Sequence, residues 1–597
     1  MLKFIFLSTV FAVIGTVSTS TGQSIAYSIS MSKPQSHYFE VQMELDNFKE
    51  ADLMLKMPVW SPGSYLIREF ARNVNLVVAK DENGKALSVK KTNKNTWKIT
   101  KGKSKKVVVN YEVYAFELSV RTSYLDTKHG YFNGTSVFMF VENHQGLSGN
   151  LTIIKPETFK TISTALPRSS ENIQSDASEL FHFTNYDHLV DCPVEIGNQE
   201  VFDFTAAGVK HTVSMFGKAT YNIALLKKDM ARIVEAATKV IGENPNKEYT
   251  FIIHNVIGGS GGLEHTNSTT LNVDRNTYEG DAYIGFLGLV AHEYFHLWNV
   301  KRIRPVELGP FNYNEENYTS LLWVMEGFTS YYDELLVRRA GYYSEDTYIQ
   351  KMMSNLNYVE GTPGNRVQPV AHSSFDAWIK SYRPNENSNN TQVSYYPKGQ
   401  LLAGIIDAMI VKKYDGKKCL DHFMQVLYQD FYKKLNRGFS EAEFQNSLEK
   451  FLDTDLDAFF TDYVYGTKTI DFQKYWGQVG YKVTSTSYPK PSFGASYALE
   501  GGKVKINNVR ANSAAENGGL QVGDEIIGCN SFRTESTASL DAFIMPASNG
   551  TVLDLLITRE GVIEKLAVKI TLFERPSYKI ELTTENSRLR DYWLRKD

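Results

Sequence analysis

Residues 292–296 read His-Glu-Tyr-Phe-His, two imidazoles four positions apart with a carboxylate between them. On a helix of 3.6 residues per turn, His292 and His296 share one face and reach a single divalent cation. Imidazole nitrogens at this spacing suit Zn²⁺, and Glu293, offset around the helix, faces a water on that metal. Zinc brings such a water toward a neutral pKa, and the carboxylate accepts its proton and passes it to a leaving amine. The implied chemistry is amide hydrolysis. A five-residue pattern with three fixed positions also arises by chance, so the rest of the chain has to supply the missing parts.

Two histidines and a water leave zinc one protein donor short. Two downstream glutamates compete for that place. Glu315 stands at a spacing from His296 known among zinc enzymes, but lies in FNYNEENY, which is polar and loop-like. Glu326 lies in SLLWVMEGFTSYYDELL, where Leu322, Met325, Phe328, Tyr332 and Leu335 recur at the helical period and mark a buried helix. An ionised carboxylate there is costly unless a cation or strong hydrogen bonds meet it, so Glu326 is the expected ligand. The bland alternative is a glutamate pointing to solvent. One Zn²⁺ per chain is expected, on His292, His296 and Glu326.

The elements that must position these groups are legible in outline. The histidines fall in a segment that reads as a helix from about Ile284 to Asn299. With 597 residues the chain has room for about three or four domains, and its 42% hydrophobic and 22% charged content is that of a globular protein. A net charge of −3 gives no field for nucleic acid or an anionic membrane, so neither partner is expected. The 35 Tyr and 34 Phe suit sheets and stacked cores. Cys192, Cys419 and Cys529 are odd in number and far apart, indicating neither a disulfide framework nor a thiolate metal site.

Residues 1–22 have a signal-peptide layout: a basic start, an apolar run too short to span a bilayer, and small residues, with cleavage expected between Ser20 and Gln23. Export, periplasmic or secreted, is the expectation, with no membrane span after cleavage. Residues 23–200 alternate in short apolar runs such as YFEVQMEL and KKVVVNYEVYAF, predicting a β-rich, sandwich-like domain. Helical periodicity takes over near Tyr221, so residues 201–485 are expected to form an α-rich domain. Strands return over 486–575, around a short helix at Ala514 to Asn517, and 576–597 reads as a C-terminal tail.

LVAHEYFHLWNVKRIRP, WVMEGFTSYYDELL, GGLEH and MPVWSPGSYLIREFARN together resemble the glycyl aminopeptidase family of zinc metallopeptidases, which carry a PDZ module near the C-terminus. The resemblance covers nearly the whole mature chain. It implies a multidomain α+β architecture: an N-terminal β-sandwich-like domain, a thermolysin-like catalytic domain similar to that of aminopeptidase N, and a PDZ domain. It also implies zinc on His292, His296 and Glu326, Glu293 as general base, and release of N-terminal Gly or Ala from peptide substrates.

Gly261-Gly262-Leu263-Glu264-His265 resembles the GAMEN segment of aminopeptidase N relatives, with His265 in place of Asn. Glycines on a strand let a substrate backbone pair closely, and a carboxylate at its end, Glu264, binds a free α-ammonium group. An ordinary exposed glutamate after a glycine turn is the alternative. Tyr395-Tyr396-Pro397-Lys398-Gly399 resembles a Tyr-x-Lys-Gly pattern whose hydroxyl donates to the oxyanion. The matching residue is Tyr396, and Tyr395 is its rival. The run Lys301, Arg302, Arg304 is expected to pair with acidic groups and hold the loop after the helix.

VRANSAAENGGLQVGDEIIGCN reads like a PDZ fold, and Phe493-Gly494-Ala495 stands where such domains capture a peptide's C-terminal carboxylate. A C-terminal peptide ligand and a purely structural lid are both open. In the first domain, Arg68 and Arg121 are candidates for lining a cleft, without an assigned role. The reading is a zinc aminopeptidase. Its alternatives are a zinc endopeptidase that recruits proteins through the PDZ module, and a peptide-binding scaffold without catalysis.

Overall fold

The computed structural model describes residues 22–169 and 177–594. The expected leader over 1–22 lies, but for Gly22, outside them.

The N-terminal region forms a ten-stranded and a four-stranded sheet. Tyr38–Asp46 and Lys106–Tyr114 pair antiparallel, with every second residue buried along both strands. Phe39, Val41, Met43 and Leu45 thus meet Val107, Val109, Tyr111 and Val113 on the inner face, as period-2 patterning requires.

The region expected to be α-rich carries a five-stranded sheet beside its helices. Its order is Glu200–Ala206, Val209–Phe216, Glu248–Val256, Ser268–Asp274 and Gly262–Glu264. The three central strands are parallel, and Gly262–Glu264 runs antiparallel at the edge. Glu248–Val256 is buried along nearly its whole length, so it lacks the alternation that reveals a half-exposed strand. Ile223–Ile241 packs on this layer through Leu226, Met230, Ile233, Val234 and Ala237, its start capped by Asn222 Oδ1 accepting from the Leu225 N–H at 3.1 Å.

The histidine helix spans Gly280–Phe295, starting earlier than expected and stopping short of Asn299. The chain turns there because the His296 ring takes the Asn299 carbonyl at 2.7 Å. Leu322–Arg339 is buried for most of its length and crosses Tyr395–Lys413 closely where Gly327 faces Gly399. A Cβ on Gly327 would lie 2.4 Å from the Gly399 Cα, so glycine is needed for this approach.

A six-stranded sheet encloses a separate C-terminal core that includes Val504, Ile506, Leu553, Ile557 and Val568. Its short helix is Ala514–Asn517. Asn390 ties this module to the helical region, donating to the Val509 carbonyl at 2.8 Å and accepting from the Ala511 N–H at 3.0 Å. The segment expected as a tail is folded back. Tyr578–Leu582 pairs with Tyr481–Ser485, and Ser587–Trp593 is a helix whose buried Trp593 donates to the Tyr331 hydroxyl at 2.8 Å. Burial of Ile580, Leu589, Trp593 and Leu594 drives this return.

Candidate functional site

A cleft of about 430 Å³ gathers side chains from both domains. The histidine helix supplies His292, Glu293 and His296, the next helix Glu326 and Asp333, and the edge strand Gly261, Gly262 and Glu264. Tyr396 enters from the start of the helix Tyr395–Lys413, and the N-terminal domain adds Gly63 and Arg121.

His292 Nε2 and His296 Nε2 lie 3.5 and 3.3 Å from Glu326 Oε2. The other ring nitrogens are committed: His292 Nδ1–H donates to Asp333 Oδ2 at 2.9 Å, and His296 Nδ1–H to the Asn299 carbonyl at 2.7 Å. Each Nε2 therefore faces the Glu326 carboxylate and is the ring nitrogen left for a cation. Three donor atoms converging within 4.8 Å, two imidazole nitrogens and a carboxylate oxygen, fit a divalent transition metal such as zinc. Burial disfavours a charge on His292, but hydrogen bonds to Asp333 and Glu326 outweigh it and hold its pKa well above the ordinary value. Burial likewise raises the Glu326 carboxyl, yet His296 and His292 outweigh that and bring it down to about 2. The electrostatics that raise the histidines' proton affinity also favour a cation among them.

Glu293 is 5% exposed, and its Oε2 has no partner among the described residues. Burial, countered by His292 and His296, pushes its carboxyl up to about 7. Gly262 makes room for it: a Cβ there would lie 2.4 Å from the Glu293 carboxylate carbon. Glu264, 4% exposed with Oε1 unpartnered, is buried rather than the exposed glutamate of the alternative reading. It sits within 4.8 Å of ligand atoms of Glu293 and His296.

The two tyrosines separate. Tyr396 lines the cleft, its ring centroid 6.3 Å from that of His292, whereas Tyr395 is fully buried outside the lining. Burial, reinforced by Glu326, raises the Tyr396 phenol well above its ordinary pKa, so the hydroxyl stays protonated and able to donate. Glu315 accepts from Asn312 Nδ2 at 2.7 Å in an exposed loop and takes no part in the cleft. Of the basic run only Lys301 pairs with an acidic group, Asp191 at 2.9 Å, while Arg302 holds the loop through Asn246 Oδ1 at 2.8 Å and Arg304 through the Leu308 carbonyl at 3.1 Å.

Sequence reasoning passed over Asp333 and Gly63. Asp333 had a signal, since it lies two turns after Glu326 on the same helical face. Gly63 had none, being brought in by contact between domains, whereas Arg121, a cleft candidate from the sequence, does line the cleft and Arg68 does not.

The chain matches the Peptidase M61 N-terminal domain over residues 26–198, the M61 glycyl aminopeptidase domain over 285–402 and a PDZ domain over 480–570. Among solved structures, an aminopeptidase N family protein from Idiomarina loihiensis is 32% identical, with 96% of this chain and 100% of that one aligned at a TM-score of 0.88. An M1 zinc metallopeptidase from Deinococcus radiodurans shares the fold at 12% identity and a TM-score of 0.50, over 75% of this chain and 94% of that one. No curated protein matches the chain. Long motifs in order, a whole-chain structural relative and a converged site of two histidines and a glutamate agree: the chain belongs to the M61 glycyl aminopeptidase family of peptidases and carries a PDZ domain after its catalytic region.

Proposed function

We propose that the protein is a zinc-dependent aminopeptidase that releases small N-terminal residues, Gly or Ala, from peptides. The observation that carries this reading is Glu264, a buried carboxylate with an unpartnered oxygen beside Glu293 and His296. Such a group is costly unless a cation meets it, and a substrate's α-ammonium is that cation. The adjoining space, sharing Gly63 and Glu264 with the cleft and walled by Trp60, Tyr65 and Phe311, is about 10 Å³, room for a single water. A carboxylate that calls for an α-ammonium supports an exopeptidase over internal cleavage.

His292, His296 and Glu326 would hold one zinc ion per chain, which when bound would supply a Lewis acid for the scissile carbonyl and lower the pKa of a water. Asp333 and the Asn299 carbonyl fix both imidazoles with Nε2 facing that position. Glu293 accepts a proton from the attacking water and returns it to the leaving amine. Tyr396 donates its O–H to the carbonyl oxygen as charge develops there. Gly261 and Gly262, lacking side chains, let the substrate backbone approach the strand closely, and Glu264 sets the register by holding the first amine. The PDZ strand Ala495–Glu500 stands at the edge of its sheet, which supports an added C-terminal peptide strand as a second partner.

N-acetylation of a Gly- or Ala-peptide is expected to lower kcat/KM roughly 10- to 100-fold, the worth of a charge-assisted hydrogen bond. Mass spectrometry of free and acetylated peptides checks this; equal rates, or internal cuts, would favour the endopeptidase. Tyr396→Phe is expected to lower kcat about 10²- to 10³-fold with metal content unchanged, read by steady-state kinetics and elemental analysis. Near-normal turnover would reject the phenol as donor.

A further inference from the structure

One cation in the cleft has no counter-charge. The lining is otherwise acidic, with Glu264, Glu293, Glu326, Asp333 and Glu334, and its second cation, Lys351, pairs with Glu334 at 3.0 Å. Arg121 makes no ion pair among the described residues, and its Nε is buried without a partner. Both domains fix its place. Its own N–H donates to Ser119 Oγ at 3.2 Å, and the Tyr131 hydroxyl joins the Val120 carbonyl at 3.2 Å to Thr270 Oγ1 at 3.1 Å.

Arg121 Nη2 donates to the Gly262 carbonyl at 3.2 Å. The Asn272 N–H takes the Gly261 carbonyl at 2.9 Å, so by antiparallel alternation the Gly262 carbonyl points to the free edge of the strand. Arg121 therefore sits on the edge along which the substrate backbone lies. Arg68 stands nearby, bound to Ser64 Oγ at 3.0 Å through Nη2, and it too makes no ion pair among the described residues. Burial, then the Arg121 charge, lowers its pKa. Two guanidinium groups sharing a partly buried site repel each other, and Glu117, whose charge reaches Arg68, stands 4.0 Å from Arg72 and makes no ion pair with Arg68 or Arg121. A guanidinium offers five donors in a planar fork, and after Gly262 takes one the rest match a carboxylate.

We propose that Arg121, backed by Arg68, forms a subsite for a carboxylate on the substrate, so that the preferred peptides are held by an amine at Glu264 and an anion at Arg121. The inference rests on the aminopeptidase reading. The carboxylate has two sources, the free C-terminus of a short peptide or an acidic side chain. Gly-Ala-Ala, its C-terminal amide and the amide of Gly-Asp-Ala separate them. In the wild type, amidation of Gly-Ala-Ala is expected to raise KM about 10- to 100-fold with little change in kcat. A KM lower for Gly-Asp-Ala amide than for Gly-Ala-Ala amide, with no effect of amidating Gly-Ala-Ala, assigns the subsite to the side chain, and a rise on amidation that the aspartate does not reverse assigns it to the C-terminus.

Arg121→Gln should erase the difference between acid and amide, and Arg121→Lys should restore part of it. Arg68→Gln, which leaves the Gly262 contact intact, should shrink it even where Arg121 variants fold poorly. Equal KM for Gly-Ala-Ala, its amide and Gly-Asp-Ala amide in the wild type, or a carboxylate preference that survives Arg121→Gln, overturns the proposal. Calorimetric binding of the same peptides to Glu293→Gln protein repeats the comparison without turnover. Absence of any hydrolysis would thus sink the aminopeptidase reading while the carboxylate preference is still read.

Discussion

Glu293→Gln is expected to lower kcat on Gly- and Ala-peptides by roughly 10⁴-fold, the upper end of what one general base contributes. The upper end applies because the same carboxylate takes a proton from water and gives it to the leaving amine, so two steps lose their catalyst. Burial holds Glu293 near the pH at which a base must exchange protons, about 7, where an exposed glutamate would be a poorer acceptor. The amide keeps the side chain's shape, and because Oε2 has no partner among the described residues, the fold loses no hydrogen bond there. Metal content and melting temperature should therefore match the wild type while turnover collapses. Elemental analysis beside steady-state kinetics makes the check, and substantial activity in the variant would remove Glu293 as base.

The convergence of the proposed metal ligands was legible because each member belongs to a local pattern. His292 and His296 are fixed by helical period alone, and Glu326 by a carboxylate's presence among apolar neighbours on one helix. The five-stranded sheet was far less legible. Glu248–Val256 is buried on both faces and reads as a plain apolar run, which a helix segment also produces. Tertiary contact wrote the rest of the site. Glu264 is buried because Gly63, two hundred positions earlier in the chain, presses against it: a Cβ on Gly63 would lie 2.5 Å from Glu264 Oε1. No spacing rule connects residues that far apart. The motif around Trp60 follows the same logic, since Val59, Trp60 and Tyr65 belong to the core of the helical region and not to that of their own domain. The stretch MPVWSPGSYLIREFARN, which the sequence offers only as a family resemblance, is a wedge that brings Gly63 to the cleft.

Glu326→Ala tests a different part of the chemistry and should have an equally large effect by another route. It removes one of three protein donors, and structural zinc sites with four donors bind with about 10–16 kcal/mol, so one donor carries about 3 kcal/mol or more. That corresponds to a loss of zinc affinity of roughly 10²- to 10³-fold. The electrostatic loss compounds it. Burial disfavours charge on His296, and the Glu326 carboxylate is what outweighs burial there, so its removal weakens the pull of the histidine pair on any cation. Dialysed Glu326→Ala protein should retain little zinc and hydrolyse peptides only at background, and millimolar zinc should restore part of the activity. Restoration by metal separates this variant from Glu293→Gln, which no concentration of zinc can rescue. Full zinc occupancy after dialysis would reject Glu326 as the third ligand. Glu315 could not then take its place without moving its loop, because that carboxylate is exposed and held by Asn312.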